Sequence, residues 1–152
     1  MTTPTLVFGW GNPSRGDDAL GPLFVERIEA LNLPGVECLT DFQLQVEHAL
    51  DLQGRSRVLF VDASLDALAP FRIEVIGPAN DASFTTHAMS PQAVLQVYCD
   101  LNDEEPPPSW LLAIRGERFE LGEELSASAA QNLDAALAWV RAWLARAEQE
   151  AR

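Results

Sequence analysis

The chain contains no apolar run near the roughly 20 residues that a membrane-spanning helix needs, and its N-terminus carries neither a basic region nor a signal-like apolar block. A cytoplasmic protein without a membrane partner is expected. Cysteine is scarce. Cys38 and Cys99 stand far apart without a second thiol nearby, so they form no zinc spacing and no redox motif, and reduced, partly buried thiols are expected. Basic residues are also few: ten Lys and Arg against 23 Asp and Glu leave a net charge of −13, which repels phosphate backbones and excludes nucleic acid as a partner. Most of these carboxylates need mean no more than a soluble surface.

Several catalytic signatures are missing too. No serine stands in a Gly-x-Ser-x-Gly turn and neither cysteine has an evident His partner, so a covalent nucleophile is unsupported. There is no His-Glu-x-x-His helix of the kind that binds catalytic zinc. Nucleotide binding fares no better: the spacing departs from Gly-x-Gly-x-x-Gly, there is no P-loop lysine, and Asp17 and Asp18 would repel a phosphate. No organic cofactor is expected.

What is present is enough apolar sequence for one core. The chain has 152 residues, 47% of them hydrophobic, which suits a single domain over residues 1–152. Apolar and β-branched runs predict strands over Thr5–Trp10, Val36–Thr40, Arg57–Asp62, Phe71–Ile76 and Trp110–Ile114. Helices are predicted over about Asp18–Leu31, Leu44–Leu52, Pro91–Leu101 and Ser126–Ala147, the last from the stripe Leu133, Leu137, Val140 and Leu144. This order of elements predicts an α/β fold, a three-layer domain whose mostly parallel sheet is covered by helices on both faces. The link between the third and fourth strands, which contains Pro70, is too short for a crossover helix, so those two strands are expected to pair antiparallel and the sheet to be mixed.

Chemistry concentrates on the loop Gly9-Trp10-Gly11-Asn12-Pro13-Ser14-Arg15-Gly16-Asp17-Asp18-Ala19-Leu20-Gly21, which follows the apolar run Leu6-Val7-Phe8. Asp62 ends the apolar run Val58-Leu59-Phe60-Val61, at the edge where open α/β sheets bind ligands. His87 arrives just before Ser90-Pro91, a helix-starting pair. Carboxylates and an imidazole from three loops make an open transition-metal site, whereas calcium would want more oxygens and no imidazole. Each member also has a structural alternative. Asp17 or Asp18 could cap the helix that follows, Asp62 could accept backbone hydrogen bonds in a turn, and a lone histidine in a polar loop is more often not a ligand. His48, beside Leu44 and Leu52, reads as a partly exposed residue without a special role. Trp139 and Trp143 read as packing at the core margin or as a partner-docking patch.

The first loop resembles the Gly-x-Gly-Asn-x-x-x-x-Asp-Asp/Glu-x-x-Gly signature of the hydrogenase maturation endopeptidases, filled here by Gly9, Gly11, Asn12, Asp17, Asp18 and Gly21. The resemblance continues at Phe60-Val61-Asp62-Ala63, at His87 ahead of a helix, and at Gly116–Ser126, and so spans roughly Thr5 to Leu144. It implies a twisted five-stranded sheet between helices and a nickel-recognition site made by Asp18, Asp62 and His87. It implies an aspartyl-type endopeptidase activity in which these three act on a hydrogenase large-subunit precursor that already carries nickel. A short C-terminal peptide is removed, and the metal belongs mainly to the substrate. Asp41 is then an auxiliary catalytic carboxylate. The segment Asp41-Phe42-Gln43-Leu44-Gln45 replaces the Asp-Gly-Gly-Thr of many members and resembles the variant in proteases serving NAD-reducing hydrogenases. Gln43, Gln45 and Arg15 are candidate substrate-docking residues, and a monomer is expected. Peptide hydrolysis would use a positioned water, activated by a carboxylate or by the metal as Lewis acid. The alternative is a noncatalytic nickel-delivery protein that uses the same three ligands.

Overall fold

The computed structural model describes residues 3–80 and 89–150, with side chains as far as 146. Its strands are β1 (Thr5–Trp10), β2 (Val36–Asp41), β3 (Arg57–Ser64), β4 (Phe71–Ile76) and β5 (Ser109–Arg115), and its helices are α1 (Leu20–Glu29), α2 (Pro91–Asn102) and α3 (Ala127–Glu150). Two short 3₁₀ segments, Gly16–Ala19 and Val46–Leu52, stand where longer α-helical spans were expected. In the first of these the bonds run i→i−3, Asp18 N–H to Arg15 O and Leu20 N–H to Asp17 O, while the Asp17 N–H is drawn off to Arg118 O.

The sheet runs in the order β2-β1-β3-β5-β4, with the first four strands parallel and β4 antiparallel to β5. The expectation that the third and fourth strands pair is corrected here: β5 lies between them. Burial explains the exchange. Leu112, Ala113 and Ile114 are buried as an interior strand demands, while β4 alternates partly buried Phe71 and Ile73 with exposed Arg72 and Glu74, a pattern suited to an edge.

Alternation along the strands divides the core in two. Val7, Leu59, Val61, Leu112 and Ile114 pack against Phe24, Val25 and Ile28 of α1 and against Ala129, Leu133, Ala136, Val140 and Leu144 of α3. Leu6, Phe8, Val58 and Phe60 face the other way, toward the second 3₁₀ helix and α2. Trp139 and Trp143 belong to the margin of the first layer. Trp143 meets Trp110 at a centroid distance of 5.2 Å and Trp139 meets Phe71 at 6.0 Å, so both serve packing. Among the described residues, no helix is long and apolar enough to cross a membrane.

Strand order positions the ligand edge. The chain leaves β1 through α1 toward β2 on one side, then returns to β3 on the other, so the connections from β1 and β3 diverge at their carboxyl ends. In an open α/β sheet that divergence opens a crevice where ligands sit.

Candidate functional site

The loop after β1 and the carboxyl end of β3 border this crevice, and each brings one predicted carboxylate to it. Gly11 begins the first loop with φ at +148°, and a Cβ there would lie 2.0 Å from the carbonyl oxygen of Asp18. Only glycine permits so close an approach. The fold back places Asp18 Oδ2 2.7 Å from the Asn12 N–H that donates to it. Asp18 therefore caps its own loop and does not cap α1.

Asp62 lies on β3, parallel to β1, and its Oδ1 accepts the Ala63 N–H at 2.8 Å. Burial pushes its pKa up to about 7; the Ala63 N–H works against that rise and the negative charge of Asp18 adds to it. A cation bound at the Asp62 carboxylate would offset the cost of burying its charge. Among the described residues, no three His, Cys, Asp or Glu side chains gather into a metal site. A metal held by Asp18 and Asp62 would need further ligands from elsewhere. His87 lies outside the described residues. The entry to α2 is described: Ser90 Oγ accepts the Ala93 N–H at 3.0 Å with Pro91 in the first turn, as predicted, and Met89 N–H donates to Leu44 O at 3.3 Å.

Asp41 ends β2 at the level of Trp10. Its backbone carbonyl accepts the Gly11 N–H at 3.1 Å, so successive amides of the first loop are held by Asp41 and by Asp18. Its carboxylate Oδ1 accepts the Phe42 N–H at 2.7 Å, and Oδ2 lies 3.1 Å from His48 Nε2. His48 is buried, at 8% exposure, which corrects the expectation of a partly exposed residue. Gln45 opens the second 3₁₀ helix and donates its N–H to His48 Nδ1 at 2.8 Å; Gln43 is half-buried in the same loop. Arg15 is exposed at the tip of the first loop, with Nε donating to Phe119 O at 3.3 Å. Asp18, Asp62 and Asp41 therefore share the carboxyl edge, while Arg15 stands on the loop that crosses it.

Asp17 has a different task from its neighbour. It is fully buried and caps neither the 3₁₀ turn it lies in nor α1. Its Oδ1 accepts Ser126 N–H at 2.7 Å, and its Oδ2 accepts the Ser126 hydroxyl at 2.7 Å, Glu117 N–H at 2.7 Å and Arg118 N–H at 3.1 Å. Ser126 Oγ in turn accepts the Ala129 N–H at 3.2 Å, so a charged acceptor stands behind the first turn of α3. Burial works to raise the pKa of Asp17, but the hydrogen bonds, led by Ser126 N–H, outweigh it and bring the pKa down. The sequence marks Asp17 as part of the loop signature, but its partners 100 and more residues away carry no local signal.

No protein-family model matches this chain, and no curated protein sequence matches it. Solved structures do. The chain is similar to the hydrogenase maturating endopeptidase HybD from E. coli, at 24% identity and a TM-score of 0.73 over 95% of this chain and 93% of that one. It is similar to the NiFe hydrogenase maturation protease HycI from Thermococcus kodakarensis KOD1, at 22% identity and a TM-score of 0.69 over 91% and 90% of the two chains. A hydrogenase 2 maturation peptidase from Thaumarchaeota archaeon SCGC_AB-539-E09 aligns at 22% identity and a TM-score of 0.66 over 93% and 97%. At such identities the likeness is one of fold.

Proposed function

We propose that the chain is an endopeptidase that removes a C-terminal extension from the large-subunit precursor of a NiFe hydrogenase once nickel has been inserted. The observation that carries this reading is the pair Asp18, on the loop after β1, and Asp62, near the carboxyl end of β3, at the crevice where the connections diverge. The likeness in fold to maturation proteases supports the same reading. Carboxylate and imidazole donors suit a borderline ion such as nickel, and an incomplete protein ligand set suits a metal that arrives already bound to another protein.

In this account nickel is part of the substrate. Asp18, Asp62 and His87 recognise it and so align the extension across the sheet edge. Asp41, at the end of β2 beside β1, is the carboxylate left to activate water. The oxygen of water bonds to the scissile carbonyl carbon and its proton passes to Asp41. The C–N bond then breaks and that proton leaves on the new amine. The resemblance of the loop Asp41-Phe42-Gln43-Leu44-Gln45 to the variant in proteases serving NAD-reducing hydrogenases favours that class of partner, with Gln43, Gln45 and Arg15 meeting the precursor. The protein acts as a cytoplasmic monomer.

Processing of a nickel-loaded precursor by Asp18→Ala, Asp62→Ala and His87→Ala forms tests the recognition set. Each is expected to lose processing while remaining folded. Wild-type rates in any folded variant would remove that residue from the set.

A further inference from the structure

The segment between β2 and β3 holds a buried histidine for which hydrolysis has so far supplied no use. Most of the His48 side chain is enclosed, 9% of it exposed, and the ring stands edge-on to Phe8 at a centroid distance of 4.6 Å. Its two nitrogens have unlike partners. Gln45 N–H donates to Nδ1 at 2.8 Å, so Nδ1 presents a lone pair and the ring proton is on Nε2. Nε2 then donates to Asp41 Oδ2 across 3.1 Å. With Phe42 N–H on Oδ1 at 2.7 Å, each carboxylate oxygen has its own donor, so the plane of the group is fixed. The carboxylate still reaches solvent, with 37% of the Asp41 side chain exposed.

We infer that His48 is a positioning residue for peptide-bond hydrolysis, holding the Asp41 carboxylate in one orientation through Nε2 while the Gln45 N–H fixes the tautomer at Nδ1. This rests on the endopeptidase reading, in which Asp41 takes the proton of the attacking water. The arrangement suits that task in two respects. A base must meet its water in one geometry, and a displacement of about 1 Å can cost roughly a hundredfold in rate. The Gln45 N–H on Nδ1 also leaves Nε2 as the nitrogen that carries the ring proton, so the imidazole meets the Asp41 carboxylate as a donor.

Two substitutions separate positioning from packing. His48→Asn keeps an acceptor near Nδ1 for the Gln45 N–H and removes the donor to Asp41. His48→Gln keeps a donor near Nε2 and gives up the acceptor. On a precursor that the wild type processes, His48→Asn is expected to lower kcat roughly 10- to 100-fold with KM within about twofold, and His48→Gln to restore most of kcat. An unchanged kcat in folded His48→Asn, or equal losses in both variants, would overturn the inference. A wild type that processes no nickel-loaded precursor would overturn the endopeptidase reading instead. Imidazole nitrogen NMR of the wild-type chain at neutral pH gives a readout independent of catalysis: an Nε2-protonated His48 whose resonance moves in Asp41→Asn is expected. An Nδ1-protonated ring, or a resonance indifferent to Asp41, would overturn the inference.

Discussion

Replacing Asp17 should weaken the fold far more than replacing Asp18, although the two are adjacent in sequence. Asp17 is fully buried and accepts four hydrogen bonds, two from Ser126 and one each from Glu117 and Arg118. Glu117 and Arg118 are exposed, so water can take over their amides in a variant. Ser126 is buried and its amide has no such recourse. Hydrogen bonds to a charged group contribute about 1.5–3 kcal/mol each, and a buried donor left unpaired costs about 1–3 kcal/mol. Losing the two Ser126 bonds thus sets the scale for Asp17→Ala at about 4 kcal/mol. At about 2–4 °C per kcal/mol for a domain of this size, Tm falls by roughly 8–16 °C. Asp17→Asn keeps one acceptor but turns its amide toward an N–H, for a loss of about 2–3 kcal/mol. The pH dependence follows from the lowered pKa. The contribution of Asp17 is complete above the ordinary aspartate value of 3.8 and is lost as pH falls through the still lower folded value. Urea denaturation of wild type and Asp17→Asn should therefore show a constant gap from pH 5 to 8 that closes below about pH 4. A gap under about 1 kcal/mol at pH 7, or one that persists in acid, would show that the Asp17 carboxylate does not hold Ser126 in this way.

Asp62 should behave in the opposite sense. With its pKa raised to about 7, its contribution to stability is complete below the ordinary aspartate value and is lost as pH rises toward 7, so Asp62→Asn is expected to raise the urea midpoint at pH 8 and to leave it nearly unchanged at pH 4. Carboxyl carbon NMR should place the Asp62 titration near pH 7, and Asp18→Asn should lower it, since the charge of Asp18 adds to the rise. Gly11→Ala forces a Cβ to within 2.0 Å of Asp18 O at a φ of +148°, so the loop must shift, with a stability loss of about 1–3 kcal/mol in thermal melts and loss of the Asn12 to Asp18 hydrogen bond. Protection of the Asn12 amide from hydrogen exchange reads that bond directly.

Much of this molecule is legible in the sequence because local pattern and long-range role coincide. Val58–Val61 is apolar at every position because β3 is covered on both faces, and the Asp that ends the run falls at the carboxyl edge by the geometry of a parallel sheet. The stripe on α3 is periodic because one side of that helix covers the sheet, with Leu137 at the margin of the core. What pattern cannot convey is the partner of each element. A short link says that β4 runs antiparallel to β3 but not that β5 will enter between them, a choice made by the higher burial of Leu112–Ile114. The pairing of Asp17 with Ser126 joins two distant loops. His48 lies only seven residues beyond Asp41, yet the pair forms through the loop over 42–45 and the 3₁₀ helix that Gln45 opens, where a single α-helix from Leu44 was expected, a distinction that hydrophobic spacing does not carry.

Cleavage of a precursor that carries nickel is read from the intact mass of NiFe-hydrogenase large-subunit precursors, nickel-loaded and nickel-free, after incubation with the wild-type protein. Loss of a C-terminal peptide from a loaded precursor, with the nickel-free form left whole, is the predicted result. Unchanged masses for every loaded precursor, with nickel transferred to this chain, would contradict it and identify a metal carrier.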